Sequence, residues 1–598
     1  MRFKNMKTFK YKFYSAGLCA LSMLGVSCSD FSDYNEVPSG SGSEMGIASG
    51  RTLWENISQD ANLSDFASLV KKSGFDAELS TPRSLTVWAP KNGSFKPSDY
   101  QSLSQEDLLT QFVKGHIAEY NHAASGKVDE RVHMLNEKSF SFAGDGSYTF
   151  DGLNISKANI PSANGLMHYL DGAAKFYPNL YEYLKTGEDI DSLRNHFMRY
   201  EESYLDPDAS VKGPMVNGVQ TYIDSVMVTT NTLVNQLGAR ITNEDSTYTF
   251  VMPNTHAFEE MYNRVKPYYN FIETTKMHDV ENFTKAGDTQ TKTITVNAAY
   301  MTDSLVRSQI IRNLIYSNND GYNKWIVNKG EFTDTIRSTV RRKFSNPREI
   351  LEQHLVGEPL EMSNGYVRMV DSLAFLSWET YCPELEFSPY RNLANLFPAS
   401  AQLNRRKIPS DDGGPLTWLF GPETTITEYN YGWIEPGGDR AKPDFCISMP
   451  EVMSATYNFY VVFMPSALIS GVTDKNPNWL NFQLQYCDAK GATQVYNFSK
   501  EYADSLLSGG TLPKVPTAVN ANTAFINDPE KTDTVFIGRF SFPVNYSGLG
   551  DNFYPSLRVT SPISVFNSTQ LATYTRDVRI AAILLRPVEL DEYEAKNK

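Results

Sequence analysis

Two blocks of this chain recur in the same order, and this internal repeat constrains the fold more than any other feature. The first block, residues 86–95, reads TVWAPKNGSF and returns at 249–258 as TFVMPNTHAF. In each copy a short β-prone run ends at a proline, which cannot continue a strand ladder. A polar residue then follows as a helix cap, Asn92 in the first copy and Asn254 or Thr255 in the second. The sequence therefore predicts two copies of one strand–proline–helix unit.

A second repeated block lies further along each copy. Residues 162–171 read SANGLMHYLD, and residues 362–371 read MSNGYVRMVD. Asn-Gly between alternating apolar residues predicts a β-hairpin with a type I′ turn. Periodic apolar residues between the blocks predict amphipathic helices over 108–120 and 305–316. The separation of the copies grows from 163 residues at the first block to 200 at the second, so about 37 residues are inserted into the second copy.

At these blocks the chain resembles the fasciclin domain. The first block is similar to the family's strand–proline–helix motif and the second to its late hairpin. Residues 115–117, Gly-His-Ile, stand where the family has a histidine-containing segment, whereas residues 313–315 of the second copy, Asn-Leu-Ile, lack the histidine. The resemblance covers residues 47–176 and 177–387. It implies two tandem α+β domains, each a β-wedge with packed helices, and a role in adhesion or protein contact without catalysis.

The residues of the motifs themselves indicate structure. We interpret His116 as a hydrogen-bonded core histidine because it lies beside Ile117 on an apolar face. Phe95 and Phe258 are expected to anchor the helix of each copy to its core. These positions predict the fold of the domains and indicate no bound ligand.

After residue 387 the sequence pattern changes from helical periodicity to short strands bounded by turns. Gly, Pro, Asn and Asp separate runs of β-branched and aromatic residues, which is typical of an antiparallel sandwich. Strands are predicted at 456–463, 481–486, 534–542, 556–560 and 576–585. Residues 388–598 are therefore expected to form one jelly-roll-like domain. The predicted fold class is α+β, with two tandem fasciclin-like β-wedge/helix domains followed by an all-β jelly-roll-like sandwich.

Three aromatic residues in this last region form a candidate binding site. Tyr429, Tyr431 and Trp433 alternate, so on a β-strand their rings lie on one face. Such rings could form a platform on which the apolar face of a sugar stacks. The same alternation is equally natural for a strand whose ring face packs inward as sandwich core. Both interpretations stay open at this point.

The N terminus has the pattern of an export signal that ends in a lipid anchor. Basic residues precede an apolar stretch at 16–23, which is far shorter than the ~20 residues of a membrane-spanning helix. Residues 1–27 resemble a bacterial lipoprotein signal of the Bacteroidetes type, cleaved before Cys28 so that its thiol carries lipid. The alternative is an ordinary secretory signal with an incidental cysteine. Residues 28–46, rich in Ser, Gly and acid, are expected to be a flexible tether that favours display outside the outer membrane.

Charge and motifs exclude several classes of function. The 598 residues carry a formal net charge of −14, which argues against nucleic acid as a partner. The sequence contains no Gly-x-Ser-x-Gly, phosphate-loop, His-Glu-x-x-His or Cys-x-x-Cys motif. We therefore expect no enzyme, no cofactor and no metal site; a surface hydrolase has no motif in its favour.

Two functions remain open. The first is a non-catalytic outer-membrane lipoprotein that faces the cell exterior and mediates adhesion or protein interaction through its fasciclin-like domains. The second is an accessory subunit that captures a glycan or peptide ligand for an outer-membrane TonB-dependent nutrient uptake complex. In both, a lipid anchor at Cys28 holds the chain to the membrane and a protein partner lies at the outer membrane.

Overall fold

The computed structural model describes residues 50–216, 218–278, 291–323, 326, 335–396, 401–409, 414–550 and 553–597. These residues divide into two units. One holds the chain up to residue 186 together with 241–247 and 361–366, and the other holds 187–240, 248–360 and 367–598. The predicted signal, Cys28 and the predicted tether lie outside the described residues.

The first copy of the repeat is a sheet with helices packed against it. The strands are β1 Leu85–Pro90, β2 Ile117–Glu119, β3 Lys127–His133, β4 Ser139–Asp145, β5 Ser147–Phe150, β6 Leu153–Ser162 and β7 Gly165–Leu170. Their order is β2-β1-β7-β6-β5-β4-β3, with β1 and β7 parallel. The helices are Leu53–Gln59, Ser64–Ser73, Ser98–Gln101 and Gln105–Leu108. Apolar side chains of the first two helices pack with those of β1, β2 and β7 in one core.

The second copy repeats the central strands of this sheet. Strands β10 Tyr248–Pro253, β13 Ile315–Ser317, β16 Leu360–Met362 and β17 Gly365–Val370 have the order β13-β10-β17-β16, which matches β2-β1-β7-β6. Three further strand pairs belong to this part of the chain: β8 Glu201–Val216 with β9 Val219–Asn231, β11 Thr274–His278 with β12 Thr291–Thr295, and β14 Ile336–Arg337 with β15 Lys343–Phe344. The helices include Leu180–Thr186, Asp191–Met198, Thr232–Gln236, Thr255–Val265 and Ala298–Ile311. The matching strand order confirms the predicted duplication.

A buried asparagine in the hairpin ties each copy together. In the first copy Asn164 accepts a hydrogen bond from the Leu53 amide at 2.7 Å, at the start of the first helix. Its side-chain amide donates to the carbonyls of Leu79 and Thr81 at 2.9 and 2.6 Å. Three segments distant in sequence thus meet at one side chain, which explains why a polar residue is buried here.

Asn364 makes the same three contacts in the second copy. It accepts from the Leu180 amide at 2.9 Å and donates to the carbonyls of Ile241 and Asn243, both at 2.9 Å. The two copies therefore share this hydrogen-bond arrangement atom for atom, although the surrounding sequences differ.

The predicted hairpin is confirmed at Asn164, but the predicted type I′ turn is wrong. Strand β6 ends at Ser162 and β7 begins at Gly165, and the positive φ, 151°, falls on Gly165 rather than on Asn164. A Cβ atom at Gly165 would lie 1.9 Å from the Leu85 carbonyl oxygen. Glycine is required because β1 approaches closely, and the asparagine is required as a hydrogen-bonding centre.

The predicted amphipathic helices end earlier than expected. Residues 109–113 form one π-helical turn and 114–116 a 3₁₀ turn, after which the chain becomes strand β2 at Ile117. In the second copy the helix Ala298–Ile311 ends before β13. The chain must extend there because β2 and β13 pair with β1 and β10, a constraint that helical periodicity does not contain.

His116 is the hydrogen-bonded core histidine that the sequence predicts. It is fully buried, its Nδ1 lies 2.8 Å from the Phe112 carbonyl, and its Nε2 accepts from the Ala174 amide at 2.9 Å. Burial lowers the pKa of His116 to about 4. In the second copy buried Asn313 donates to the Gln309 carbonyl at 2.6 Å, at the same spacing of four residues. The asparagine reproduces the contact of the missing histidine with the preceding turn but not its second one, because Asn313 Oδ1 is buried without a hydrogen-bond partner among the described residues.

The C-terminal region is a sandwich of two antiparallel sheets. One sheet has the order β20-β21-β29-β23-β27, with β18 also on β29, and the other has the order β19-β22-β28-β24-β25, with β26 on β24. The strands are β18 Leu385–Phe387, β19 Leu393–Leu396, β20 Ala401–Pro409, β21 Glu428–Pro436, β22 Asp444–Ser448, β23 Thr456–Phe463, β24 Trp479–Cys487, β25 Thr493–Asn497, β26 Phe525–Ile526, β27 Asp533–Ser541, β28 Ser556–Thr560 and β29 Val578–Pro587. The predicted fold class is confirmed.

Short helices accompany the sandwich sheets, and the first strand lies before the predicted start of the domain. The helices are Pro389–Asn392, Thr417–Phe420, Lys500–Ser508, Ser568–Thr573 and Val588–Asn597. Strand β18 pairs with β29 although it precedes residue 388. The domain boundaries themselves stay predictions.

Candidate functional site

One candidate site is a cleft in the sandwich, formed over strands β20, β21 and β29. Its volume is about 620 Å³, within the range of ordinary ligand pockets. The lining residues are Arg406, Lys407, Ile408, Trp418, Tyr431, Trp433, Leu468, Ile469, Ser470, Gly471, Val472 and Arg579. We call this feature the sandwich cleft. It joins side chains that are up to about 170 residues apart in the chain.

The three predicted ring residues lie on β21, on the face that carries the cleft. Tyr431 and Trp433 line it, whereas Tyr429 packs edge-on against Phe420, with ring centroids 4.7 Å apart. Tyr431 is only 4% exposed and belongs to an apolar cluster that includes Leu416. The rings therefore share a face as predicted, but that face is largely packed as core. Their role in binding stays a prediction.

Two arginines stack on the indole of Trp433. The guanidinium carbons of Arg406, on β20, and of Arg579, on β29, each lie 4.7 Å from its ring. Trp433 lies directly opposite Arg579 in the antiparallel pairing of β21 and β29. Cation–π attraction holds both guanidinium groups against the central strand. Trp433 thus positions two positive charges at the cleft.

Arg579 carries a hydrogen-bond donor without a partner. The residue is 5% exposed, and its Nη2 atom lies 3.3 Å from the carboxylate of Asp577. Its Nη1 atom, like Nε1 of Trp433, is buried without a hydrogen-bond partner within the described part of the chain. Burial raises the pKa of Asp577 more than the Arg579 charge lowers it. A buried unpaired donor costs about 1–3 kcal/mol, more when charged.

The free aromatic surface of the cleft belongs to Trp418. This residue, in the helix Thr417–Phe420, is 47% exposed. Lys407 adds a third cation to the cleft and forms an ion pair with Glu428. The sequence analysis missed Arg406, Trp418 and Arg579 because no local pattern links three separate segments.

A second candidate surface is the two-stranded ribbon of β8 and β9. The strands pair from Glu201 with Asn231 to Val216 with Val219. We call Met215, Val216 and Val219 the ribbon tip; Met215 is 66% and Val219 68% exposed. Contiguous exposed apolar side chains mark interaction sites more often than solitary ones do.

The ribbon is anchored at its base and inserted into the second copy. Asn231 donates to the Phe197 carbonyl at 2.8 Å and caps the helix Thr232–Gln236 by accepting from two of its amides. The sequence analysis missed the ribbon. The sequence signal for the ribbon is Asn217-Gly218 between β-prone residues, which is the same type of hairpin signal as Asn-Gly in the second repeated block.

The other predicted site residue, Cys28, lies outside the described residues, and its lipidation stays a prediction. Within the described ranges, no helix is long and apolar enough to cross a membrane. No group of three or more His, Cys, Asp or Glu residues there could hold a metal ion.

Comparison with known proteins identifies one domain. The model of the fasciclin domain family matches residues 61–174, inside the predicted first domain. No curated protein matches the chain. One similar solved structure is a FAS1 domain pair from the insect cell adhesion molecule fasciclin I; it is 11% identical, covers 54% of this chain and 99% of its own, and has a TM-score of 0.19.

Another similar structure is a Paenibacillus xanthan lyase. It is 7% identical, covers 39% of this chain and 18% of its own, and has a TM-score of 0.17. TM-scores this low support no conclusion about this chain from either structure. The family match stands by itself: residues 61–174 of this chain match the model of the fasciclin domain family.

Proposed function

We propose that the chain is a non-catalytic surface lipoprotein that mediates adhesion or protein interaction through its fasciclin-like domains. Fasciclin domains are associated with such contacts, and residues 61–174 match that family. The observation that carries the proposal is the ribbon tip, where Met215, Val216 and Val219 expose apolar surface at the end of an anchored ribbon. Burying that surface against a protein would stabilise a complex at about 25 cal/mol per Å² of apolar area.

Charging the ribbon tip tests this proposal. The double variant Met215→Lys/Val219→Lys should lose most partner capture because charges cannot be buried in an apolar contact without a partner. Its melting temperature should stay unchanged, since both side chains are exposed. Capture is measured by quantitative co-purification after cross-linking of intact cells.

The matched control is Leu507→Lys, which charges an exposed apolar residue of the helix Lys500–Ser508. The control should capture partners as the unmodified chain does. Equal capture by the ribbon variant would contradict the proposed surface.

The proposed location rests on the N-terminal pattern. If Cys28 carries lipid, Cys28→Ala should release the protein from membranes or leave it as an uncleaved precursor, because the acyl chains provide the membrane affinity. Fractionation and the mass of the N-terminal peptide measure this. A correctly cleaved Cys28→Ala protein that stays fully membrane-bound would overturn the anchor. Digestion by protease added to intact cells is expected for the outer face, and full protection would place the protein on the periplasmic side.

A second function is ligand capture by the sandwich cleft, as an accessory subunit of an outer-membrane TonB-dependent uptake complex. The cleft itself favours it, since about 620 Å³ with aromatic and charged lining is typical of a ligand site. A glycan or a peptide would be the ligand.

One tryptophan variant and one tyrosine variant distinguish a loss of ligand binding from a loss of stability. Trp418→Ala should abolish ligand binding and leave the melting temperature nearly unchanged, because the indole is exposed. Tyr431→Ala should instead lower the melting temperature, because its ring lies in the core cluster. Isothermal titration with a panel of polysaccharides and peptides, beside thermal unfolding, provides both readouts. Unaltered binding by Trp418→Ala would remove the cleft from consideration.

A further inference from the structure

We propose that the sandwich cleft binds an anionic glycan, whose carboxylate or sulfate groups are recognised by Arg406 and Arg579. This inference rests on the proposed ligand capture and names its ligand class. The chain as a whole is acidic, with a net charge of −14, yet three cations line this cleft, of which Lys407 and Arg579 also face the carboxylates of Glu428 and Asp577. Local positive charge attracts anionic ligands despite the acidic total.

Arg579 is the strongest single indication. It is buried at the cleft with one ion-pair partner, Asp577, and its Nη1 atom has no hydrogen-bond partner among the described residues. A guanidinium presents donors in a planar fork that matches a carboxylate or the oxygens of a sulfate. Arg579 lines the cleft, so an anionic group bound there would lie beside its guanidinium group.

Arg406 supplies the second positive charge in a fixed place. Its guanidinium stacks on Trp433 at the same 4.7 Å distance as that of Arg579. The two guanidinium groups are therefore held near one indole ring rather than free to rotate in solvent. Side chains that are already held in place lose less conformational entropy on binding, so the two guanidinium groups are preorganised for an anion.

The rest of the cleft favours a sugar over an acidic peptide. The exposed indole of Trp418 offers a flat apolar surface on which the C–H face of a pyranose ring can stack. Ser470 adds a hydroxyl group to the same lining. An acidic sugar unit combines the apolar ring face and the anionic group that these side chains require.

The test compares four polymers with the purified full-length chain. Polygalacturonate carries carboxylates, dextran sulfate carries sulfate esters, dextran is neutral and polyglutamate is an acidic peptide. We expect at least one anionic glycan to bind by isothermal titration, with affinity that falls as NaCl is raised. Dextran and polyglutamate should bind weakly or not at all. Comparison of polygalacturonate with dextran sulfate shows whether the cleft prefers a carboxylate or a sulfate group.

Variants of Arg406 assign the binding to the cleft. Arg406→Gln should weaken binding of the anionic glycan by about 10- to 100-fold, as expected for one charge-assisted hydrogen bond. Arg406→Lys should recover part of the affinity because it keeps the charge without the planar fork. The matched control Arg440→Gln changes an exposed arginine outside the cleft lining and should bind as the unmodified chain does. Arg406 is exposed, so its variants should fold even if a variant of buried Arg579 does not.

The possible results distinguish a failure of the anionic-glycan proposal from a failure of ligand capture by the cleft. Dextran binding as tightly as the anionic glycans, with loss in Trp418→Ala, would overturn the anionic ligand while ligand capture by the cleft stands. Equal binding of polyglutamate would overturn the glycan class. Anionic binding that Arg406→Gln leaves unchanged would overturn the assigned site. Failure of both anionic glycans to bind would overturn the anionic ligand class, whereas ligand capture by the cleft is tested by the wider panel of polysaccharides and peptides.

Discussion

Asp444→Ala should lower the free energy of unfolding of the sandwich by about 3–5 kcal/mol, because it removes the carboxylate that forms a bidentate ion pair with a buried arginine. Asp444 on β22 and Arg558 on β28 form a bidentate ion pair, with Nε–Oδ1 and Nη2–Oδ2 distances both 2.7 Å. Both residues are buried, so water cannot replace the lost carboxylate. Chemical denaturation followed by tryptophan fluorescence measures the loss.

Two companion variants make this prediction specific. Lys442 also lies 3.2 Å from the Asp444 carboxylate, but its side chain is partly exposed, so Lys442→Gln should cost less than about 1 kcal/mol. Adding Arg558→Met to Asp444→Ala should recover stability, because it replaces a buried charge that has lost the Asp444 carboxylate with an apolar side chain. A single Asp444→Ala variant that loses less than about 1 kcal/mol would contradict the importance of the pair.

Phe258→Ala should cost about 3–5 kcal/mol, the usual loss for a fully buried phenylalanine. Its ring is completely buried in the second copy, where the Arg307 guanidinium also lies 5.6 Å from it. Phe95→Ala, at the equivalent position of the first copy, should cost clearly less because Phe95 is only partly buried against Phe112 and Tyr100.

Thermal and chemical unfolding of the two variants test this difference. The sequence motif alone predicts equal effects for the two phenylalanines, whereas burial predicts unequal ones. Equal losses would show that the partial exposure of Phe95 does not matter to stability.

The repeated motif also shows that the local sequence predicts a helix-capping residue, whereas the tertiary structure decides which helix it caps. Asn254 accepts a hydrogen bond from the Ala257 amide at 2.8 Å and caps its own helix, as the motif predicts. Asn92 instead accepts from the Asp65 amide at 3.0 Å, at the start of a helix nearly thirty residues earlier in the chain. The residue type is the same because both positions need an acceptor for free helical amides, but packing selects the helix.

In the sandwich, too, the local sequence predicts part of the candidate site and the tertiary structure decides the rest. Alternation correctly predicted that Tyr429, Tyr431 and Trp433 share a face of one strand. Whether that face meets solvent, core or a cleft depends on what packs on it, here the helix Thr417–Phe420 and the segment 468–472. The arginines that change the chemistry of the cleft come from neighbouring strands, and strand order is not encoded by any local period.

The sequence by itself determined the duplication, the hairpins at Asn164 and Asn364 and five of the strands of the sandwich. These features depend on side-chain periodicity and turn chemistry within about ten residues, which a single sequence displays. Tertiary structure decided the ends of the helices and the assembly of the sandwich cleft. Both depend on pairing between strands far apart in the chain, whose free energy comes from contacts that form only when the chain has folded.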